Sequence, residues 1–131
     1  MITIYLDDCT ADRRVARALR AAGLSVFLPG DAGTAGFDDE IHLRKATELG
    51  AVLSTFNVHD FRCLDREWRD QGLLHSEILL CHQVDHRTHA TWLIRAARTL
   101  TPEVMQSRCL HLELFRDDAS AQAIAAGLGL T

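Results

Sequence analysis

Apolar and polar positions along this chain change period several times, and each change marks an element. Residues 2–6 alternate β-branched and apolar side chains and stop at Asp7-Asp8, the pattern of a first strand. Residues 10–22 place Ala11, Val15, Ala18, Leu19 and Ala22 on one helical face, with Gly23 as a stop and Asp8 or Thr10 as candidate caps. A second short apolar run at 24–28 ends at Pro29-Gly30, and the glycine-rich stretch 30–37 reads as a loop. Asp38 opens a helix that runs to Leu49 and closes at Gly50. Residues 51–55 form a third strand, 58–70 a helix and 77–81 a fourth strand. In residues 88–100, Leu93, Ala97 and Leu100 recur at helical spacing, and Thr101-Pro102-Glu103 restarts a short helix with proline at its first position. Residues 109–114 alternate again as a last strand, and the alanine-rich stretch 117–128 is a terminal helix that packs on the domain or on a partner.

Strands alternating with helices of about ten residues or more imply βαβ units and a mainly parallel sheet. The fold class is therefore α/β, with about five strands flanked by helices in a single domain spanning 1–131. In such sheets ligands bind beyond the carboxyl ends of the strands. The polar residues cluster where that rule places a site. Asp7 and Asp8 follow the first strand, Asp38, Asp39 and Glu40 open the second helix, and Asn57 and Asp60 follow the third strand.

Two accounts of this distribution compete. Asn57 and Asp38 are good helix caps, Asp60 stands three residues after Asn57 as in a capping box, and acidic residues suit a first helical turn. Alternatively, the carboxylates share a metal ion. Oxygen ligands without cysteine or paired histidine suit Mg²⁺ or Mn²⁺ rather than zinc, and such a cluster is suited to metal-assisted phosphoryl hydrolysis. Asp7 resists the capping account best, because it stands at the very end of its strand.

Composition narrows the function classes without deciding between them. The chain has 131 residues, 47% hydrophobic and 24% charged, an ordinary globular composition. Its net charge of −4 argues against polyanion binding by bulk attraction, though acidic residues holding cations can still face phosphate. Neither a signal peptide nor a membrane-spanning run is visible, and the four dispersed cysteines suit free thiols in a reducing cytoplasm. Arg13, Arg17 and Arg20 recur at i, i+4 and i+7 opposite the apolar face of the first helix, either as a phosphate-contacting stripe or as a solvated face. His42 and His59 stand beside the acidic residues, where they either meet phosphate or serve as ordinary surface or satisfied histidines. His82, His86 and His89 are spaced like a ligand set but straddle a strand end and a helix start.

The segments "YLDDCT", "DDEIHLRKATELGAVLSTFNVHDF" and "HSEILL" together resemble the landmarks of small bacterial PIN-like proteins, which are similar to VapC-type toxin nucleases. In that family a strand ends in Leu-Asp-Glu-Asn, a helix opens with an acidic residue before His-Leu and Ala, and a strand leads into Thr-x-Asn/Asp-x-x-Asp-Phe. The resemblance covers residues 2–82 and, more loosely, the chain to about 114. It implies a metal-dependent ribonuclease using Mg²⁺ or Mn²⁺, with RNA as substrate and a cognate antitoxin as partner, a homodimer being allowed and no membrane involved. It assigns Asp7 as the first acidic residue, Asp39 as the second (with Asp38 as the alternative one residue away), and Asp60 as the last. Asn57 stands where many PIN nucleases carry Asp, and Cys9 where the family usually has Asn. The loss of a negative charge at Asn57 weakens the expected metal binding. The competing expectation is a catalytically silent module that binds a protein or nucleic acid.

Overall fold

The computed structural model describes residues 2–101 and 107–129. Five short strands, β1 (Thr3–Leu6), β2 (Ser25–Phe27), β3 (Ala51–Thr55), β4 (Ile78–Leu80) and β5 (Cys109–His111), form one sheet in the order β2-β1-β3-β4-β5, with every neighbouring pair parallel. Parallel strands need crossovers, and the helices α1 (Arg13–Ala21), α2 (Pro29–Ala32), α3 (Asp39–Leu49), α4 (Val58–Asp70) and α5 (His86–Thr99) lie on those connections. A last helix, α6 (Asp118–Gly127), follows β5.

The period-2 alternation of β1 sorts its side chains into two cores. Ile4 and Leu6 join Val15, Leu19 and Leu93 of α1 and α5 on one face, whereas Tyr5 joins Leu43, Ala46, Phe61 and Trp68 of α3 and α4 on the other. Both faces are covered, so all five residues of β3 are buried, including Ser54 and Thr55. The chain leaves β1 for β2 on one side and returns to β3 on the other. The crevice between the carboxyl ends of β1 and β3 is thus the topological switch point, where open parallel sheets place their ligands.

Several boundaries differ from those the sequence pattern suggests. The first helix begins at Arg13 rather than residue 10, and its cap is Asp12, whose side chain accepts from the Arg14 N–H at 2.7 Å. Asp8 and Thr10 do not cap it, because the Asp7 carboxylate claims the Thr10 N–H and holds residues 8–10 in a turn. Stretch 30–37 contains the one-turn helix α2, started by Pro29 and tied by the Asp31 carboxylate to the Leu28 N–H at 3.1 Å. The last strand stops at His111, and Leu112–Phe115 is a 3₁₀ turn; its three-residue period buries both Leu112 and Phe115. The short helix expected from Thr101-Pro102-Glu103 lies outside the described residues. Among the described residues, no helix is long and apolar enough to cross a membrane.

Asp12 supplies the side-chain acceptor at the start of α1. Asp12→Ala should therefore lower stability by about 1 kcal/mol, the usual cost of losing a cap, as read by urea denaturation. An unchanged midpoint would show that the helix start is held some other way.

Candidate functional site

The switch point brings together residues from four elements. β1 delivers Asp7, whose N–H reaches the Ser54 carbonyl at 3.4 Å, extending the ladder one residue beyond the strand. Asp7 is only 2% exposed. Its Oδ1 accepts from the Thr10 N–H at 3.2 Å and lies 2.9 Å from the Thr10 hydroxyl, while the Cys9 thiol donates to it at 3.1 Å. These donors belong to the turn that follows the strand, so the sequence Asp-Asp-Cys-Thr folds around the first carboxylate. Burial and the nearby Asp7 charge push the Cys9 thiol above its ordinary pKa.

β3 leads into Asn57, and here the structure corrects the expected cap. Asn57 stands at the N-cap position of α4, but its side chain makes no capping bond. Its Nδ2 instead donates to Asp39 Oδ2 and to Asp60 Oδ2, each at 2.8 Å. A primary amide has two N–H donors, and both are used on carboxylates from two different helices. Asp39 opens α3, and Asp60 lies in the first turn of α4. Both acids thus also sit at the positive ends of helix dipoles.

Asp7, Asp8, Cys9, Asp39, Phe56 and Asn57 line a cavity of about 270 Å³. Asp60 reaches this group through the Asn57 amide. Crowding shows in Asp39, whose carboxyl is pushed above the usual carboxylate range by burial and then by the charges of Asp7 and Asp60; His42 and the Asn57 bond only partly offset this. Asp38, one residue earlier, is exposed, makes no capping bond and is absent from the cavity wall, so Asp39 is the acid that α3 presents there.

Asp8 has a different role from Asp7. Its carboxylate accepts the Gly36 N–H at 3.0 Å and bonds His42 Nε2 at 2.8 Å. His42 is 1% exposed, and its Nδ1 lies 2.7 Å from the Tyr5 hydroxyl, which in turn bonds Thr34. A carboxylate only accepts, so His42 donates from Nε2 to Asp8, and in that neutral tautomer Nδ1 accepts a hydrogen bond from the Tyr5 hydroxyl. Burial, despite the Thr34 bond, raises the Tyr5 pKa, and the charges of Asp7 and Asp8 add to the rise. His42 is buried with both nitrogens engaged, and it ties the second carboxylate to Tyr5 beside the 34–36 loop.

The remaining candidates are dispersed. His59 is exposed on α4, with Nε2 3.8 Å from the Cys63 sulfur. Arg13 and Arg17 are exposed on α1, while Arg20 is tied to the Val26 carbonyl at 2.9 Å and to Asp31 at 3.3 Å, so the three do not form one free stripe. His89 is buried away from any such set, bonded to Ser54 Oγ at 2.9 Å and packed on Phe56, and burial lowers its pKa to about 4. Sequence reasoning missed the roles of Tyr5, Thr34 and Gly36. The available signals were a lone tyrosine hydroxyl in a buried strand and a polar loop rich in glycine.

The all-oxygen acidic set suits a hard divalent cation, and the mutual repulsion felt at Asp39 is the kind of strain that such a cation relieves. Against this, no three His, Cys, Asp or Glu side chains among the described residues form a group that would hold a metal ion as they stand. The Asn57 amide already satisfies the oxygens of Asp39 and Asp60 that face it. No family model, curated protein or solved structure matches the chain.

A carboxyl whose pKa is higher in the folded than in the unfolded state stabilises the fold only while protonated, and that contribution is lost as pH rises through the folded value. Asp39→Asn should therefore melt a few degrees above wild type at neutral pH. The gain should vanish below about pH 3, where the carboxyl is protonated in both states. Melting curves at both pH values check this, and a gain independent of pH would point to a cause other than charge crowding.

Proposed function

We propose that the chain is a metal-dependent ribonuclease of the PIN type, acting as the toxin of a toxin–antitoxin pair. The observation that carries this reading is the convergence of Asp39 and Asp60 on one Asn57 nitrogen beside Asp7, at the switch point of a parallel sheet. The resemblance of the motifs around these residues supports the same assignment. Asp7, Asp39 and Asp60 would supply carboxylate oxygens to Mg²⁺ or Mn²⁺. When bound, that ion supplies Lewis-acid polarisation of the scissile phosphate and lowers the pKa of the attacking water.

The protein's own part is to place and hold. Thr10 and Cys9 fix one Asp7 oxygen, and the His42–Asp8 bond pins the Gly36 loop beside the cavity. Asn57, once released from the two acids, has an amide to offer a phosphate oxygen. Hydrolysis forms a bond from water oxygen to phosphorus, breaks the bond to the leaving ribose oxygen, and returns a proton to that oxygen. Burial, and then the charges of Asp7 and Asp60, raise the Asp39 pKa, a crowding that a bound cation would relieve. An antitoxin and a homodimer belong to this proposal as partners, as does a cytoplasmic setting.

A second reading has its own supporting observation. Asn57 neutralises the acidic pair with hydrogen bonds where PIN nucleases often carry another carboxylate, and a site satisfied in this way suits a catalytically silent module that binds protein or nucleic acid. Cleavage of a mixed RNA pool separates the two. Wild type should cleave with Mn²⁺ and stop in EDTA, and Asp60→Asn should lose at least a hundredfold in rate while remaining folded. Activity that survives Asp60→Asn or EDTA would sink the metal mechanism, and silence of the wild type with Mn²⁺ would favour the binding module.

The same geometry sets an expectation for the metal-free state. Asn57→Asp replaces a shared donor with a further carboxylate, so it should melt below wild type in EDTA and regain that loss on addition of Mn²⁺, which binds only the native state. Melting curves with and without the ion decide it; a variant as stable as wild type in EDTA would mean that the amide bridge contributes little.

A further inference from the structure

The flank of α4 facing away from Asp60 carries a feature that the acidic site does not use. Arg62, Arg66 and Arg69 recur at i, i+4 and i+7 and are exposed, while Phe61 and Trp68 turn inward to the core. With Asp65, Leu80 and Cys109 they line a groove of about 350 Å³ between α4 and the edge strand β5.

The charge of this groove is unbalanced. Asp65 is its one carboxylate, and its Oδ1 is already engaged by Arg69 Nε at 2.9 Å and by buried His75 Nε2 at 2.6 Å. Arg69 is further anchored by a bond to the Ser107 carbonyl. Among the described residues, Arg62 meets only His111 Nε2, an uncharged acceptor when the imidazole is neutral, and Arg66 has no hydrogen-bond partner. Burial and the charges of Arg62 and His82 hold His111 below its ordinary pKa, a sign that positive charge is crowded at this end of the sheet. Such crowding stands out in a chain of net charge −4.

The geometry points to this groove as a binding site for the phosphodiester backbone of single-stranded RNA, with Arg62 and Arg66 as the phosphate contacts. The choice of RNA rests on the ribonuclease reading; the anionic character of the ligand does not. Guanidinium forks match phosphate oxygens and tolerate any base sequence. Asp60 and Arg62 lie two residues apart at the amino end of α4, and Arg66 follows one turn further along. Asp60 and Arg62 face opposite sides of α4, so a strand that crosses the helix's amino end from the acidic cavity would reach Arg62 and then Arg66. A protein partner fits less well, because stable interfaces need an apolar core, and the groove's apolar floor, Leu80, is fully buried. The exposed large apolar side chains, Phe37, Ile41, Leu73 and Leu74, are not part of the groove wall.

Fluorescence anisotropy with a labelled single-stranded RNA, in EDTA to prevent metal-dependent cleavage, tests the assignment. Wild type should bind with an affinity that falls steeply between about 50 and 200 mM salt. R62A/R66A should bind more weakly whatever the RNA sequence, and its log–log salt slope should be shallower by about 1.4, about 0.7 for each single-strand phosphate that an arginine no longer neutralises. R62K/R66K, which keeps both charges, should retain most of the slope, and melting curves should show all variants folded. An unchanged affinity and slope in R62A/R66A, or no binding by wild type, would overturn the site. Displacement of the RNA by poly-glutamate at equal charge concentration would overturn the choice of nucleic acid. A groove that binds as expected in a protein that never cleaves with Mn²⁺ would sink the nuclease reading alone. Mn²⁺-dependent cleavage alongside unchanged binding by R62A/R66A would sink the groove alone.

Discussion

Asn57 donates both protons of its side-chain amide to carboxylates that arrive on different helices, and the arrangement of the site depends on that bridge. Parallel strands that diverge at a switch point leave a crevice, and the helices starting there point the positive ends of their dipoles into it. Acids at helix starts are favoured one by one and repel one another collectively. The raised pKa of Asp39 reflects that repulsion, with the charges of Asp7 and Asp60 adding to the effect of burial. A neutral donor between Asp39 and Asp60 lets the metal-free chain fold around them. In the proposed metal-bound state a cation would compete with that donor for the two acids, so stability without metal and affinity for metal would pull in opposite directions at this residue.

Around that bridge the surrounding shell is built for rigidity. Asp7 is held by the turn that follows its own strand, and Asp8, next in sequence, also lines the cavity and begins a chain running through His42 and Tyr5 to Thr34. The chain crosses from β1 to α3 and to the 34–36 loop, so hydrogen bonds tie three pieces of backbone around the cavity to one another. Two neighbouring aspartates thus line one cavity with different partners: Asp7 is held by its own turn, and Asp8 ties the cavity wall to His42 and Gly36.

The alternating and helical periods carried most of the fold in the sequence, because a sheet covered on both faces writes strong signals: β3 is apolar from Ala51 to Leu53 and buried throughout, and Leu43 and Ala46 mark the inner face of α3. The elements that escaped are those decided by tertiary partners. The turn Leu112–Phe115 looks like a continued strand until Leu112 and Phe115 are both found in the core. The start of α1 shifted because a buried carboxylate took the Thr10 N–H before a helix could. At the site, Asp7, Asp39, Asn57 and Asp60 were legible as a group from their places at strand ends and helix starts. The role of Asn57 was not, since spacing within its own turn favours a cap, and its partner Asp39 lies eighteen positions away in sequence. The two accounts of His42, a phosphate contact or an ordinary or satisfied histidine, stayed open for the same reason: its neighbours in sequence say nothing of Tyr5 and Asp8.

The central claim is that the acids gathered by Asn57 are the ligands of a divalent cation. Anomalous diffraction from a crystal soaked in Mn²⁺ tests it most directly. The account predicts one strong anomalous peak in the cavity, about 2.0–2.6 Å from oxygens of Asp7, Asp39 and Asp60, with the Asn57 amide turned away from at least one of the two acids. A cavity without a peak, its Asn57 bonds to Asp39 and Asp60 intact at a Mn²⁺ concentration that supports cleavage, would contradict it.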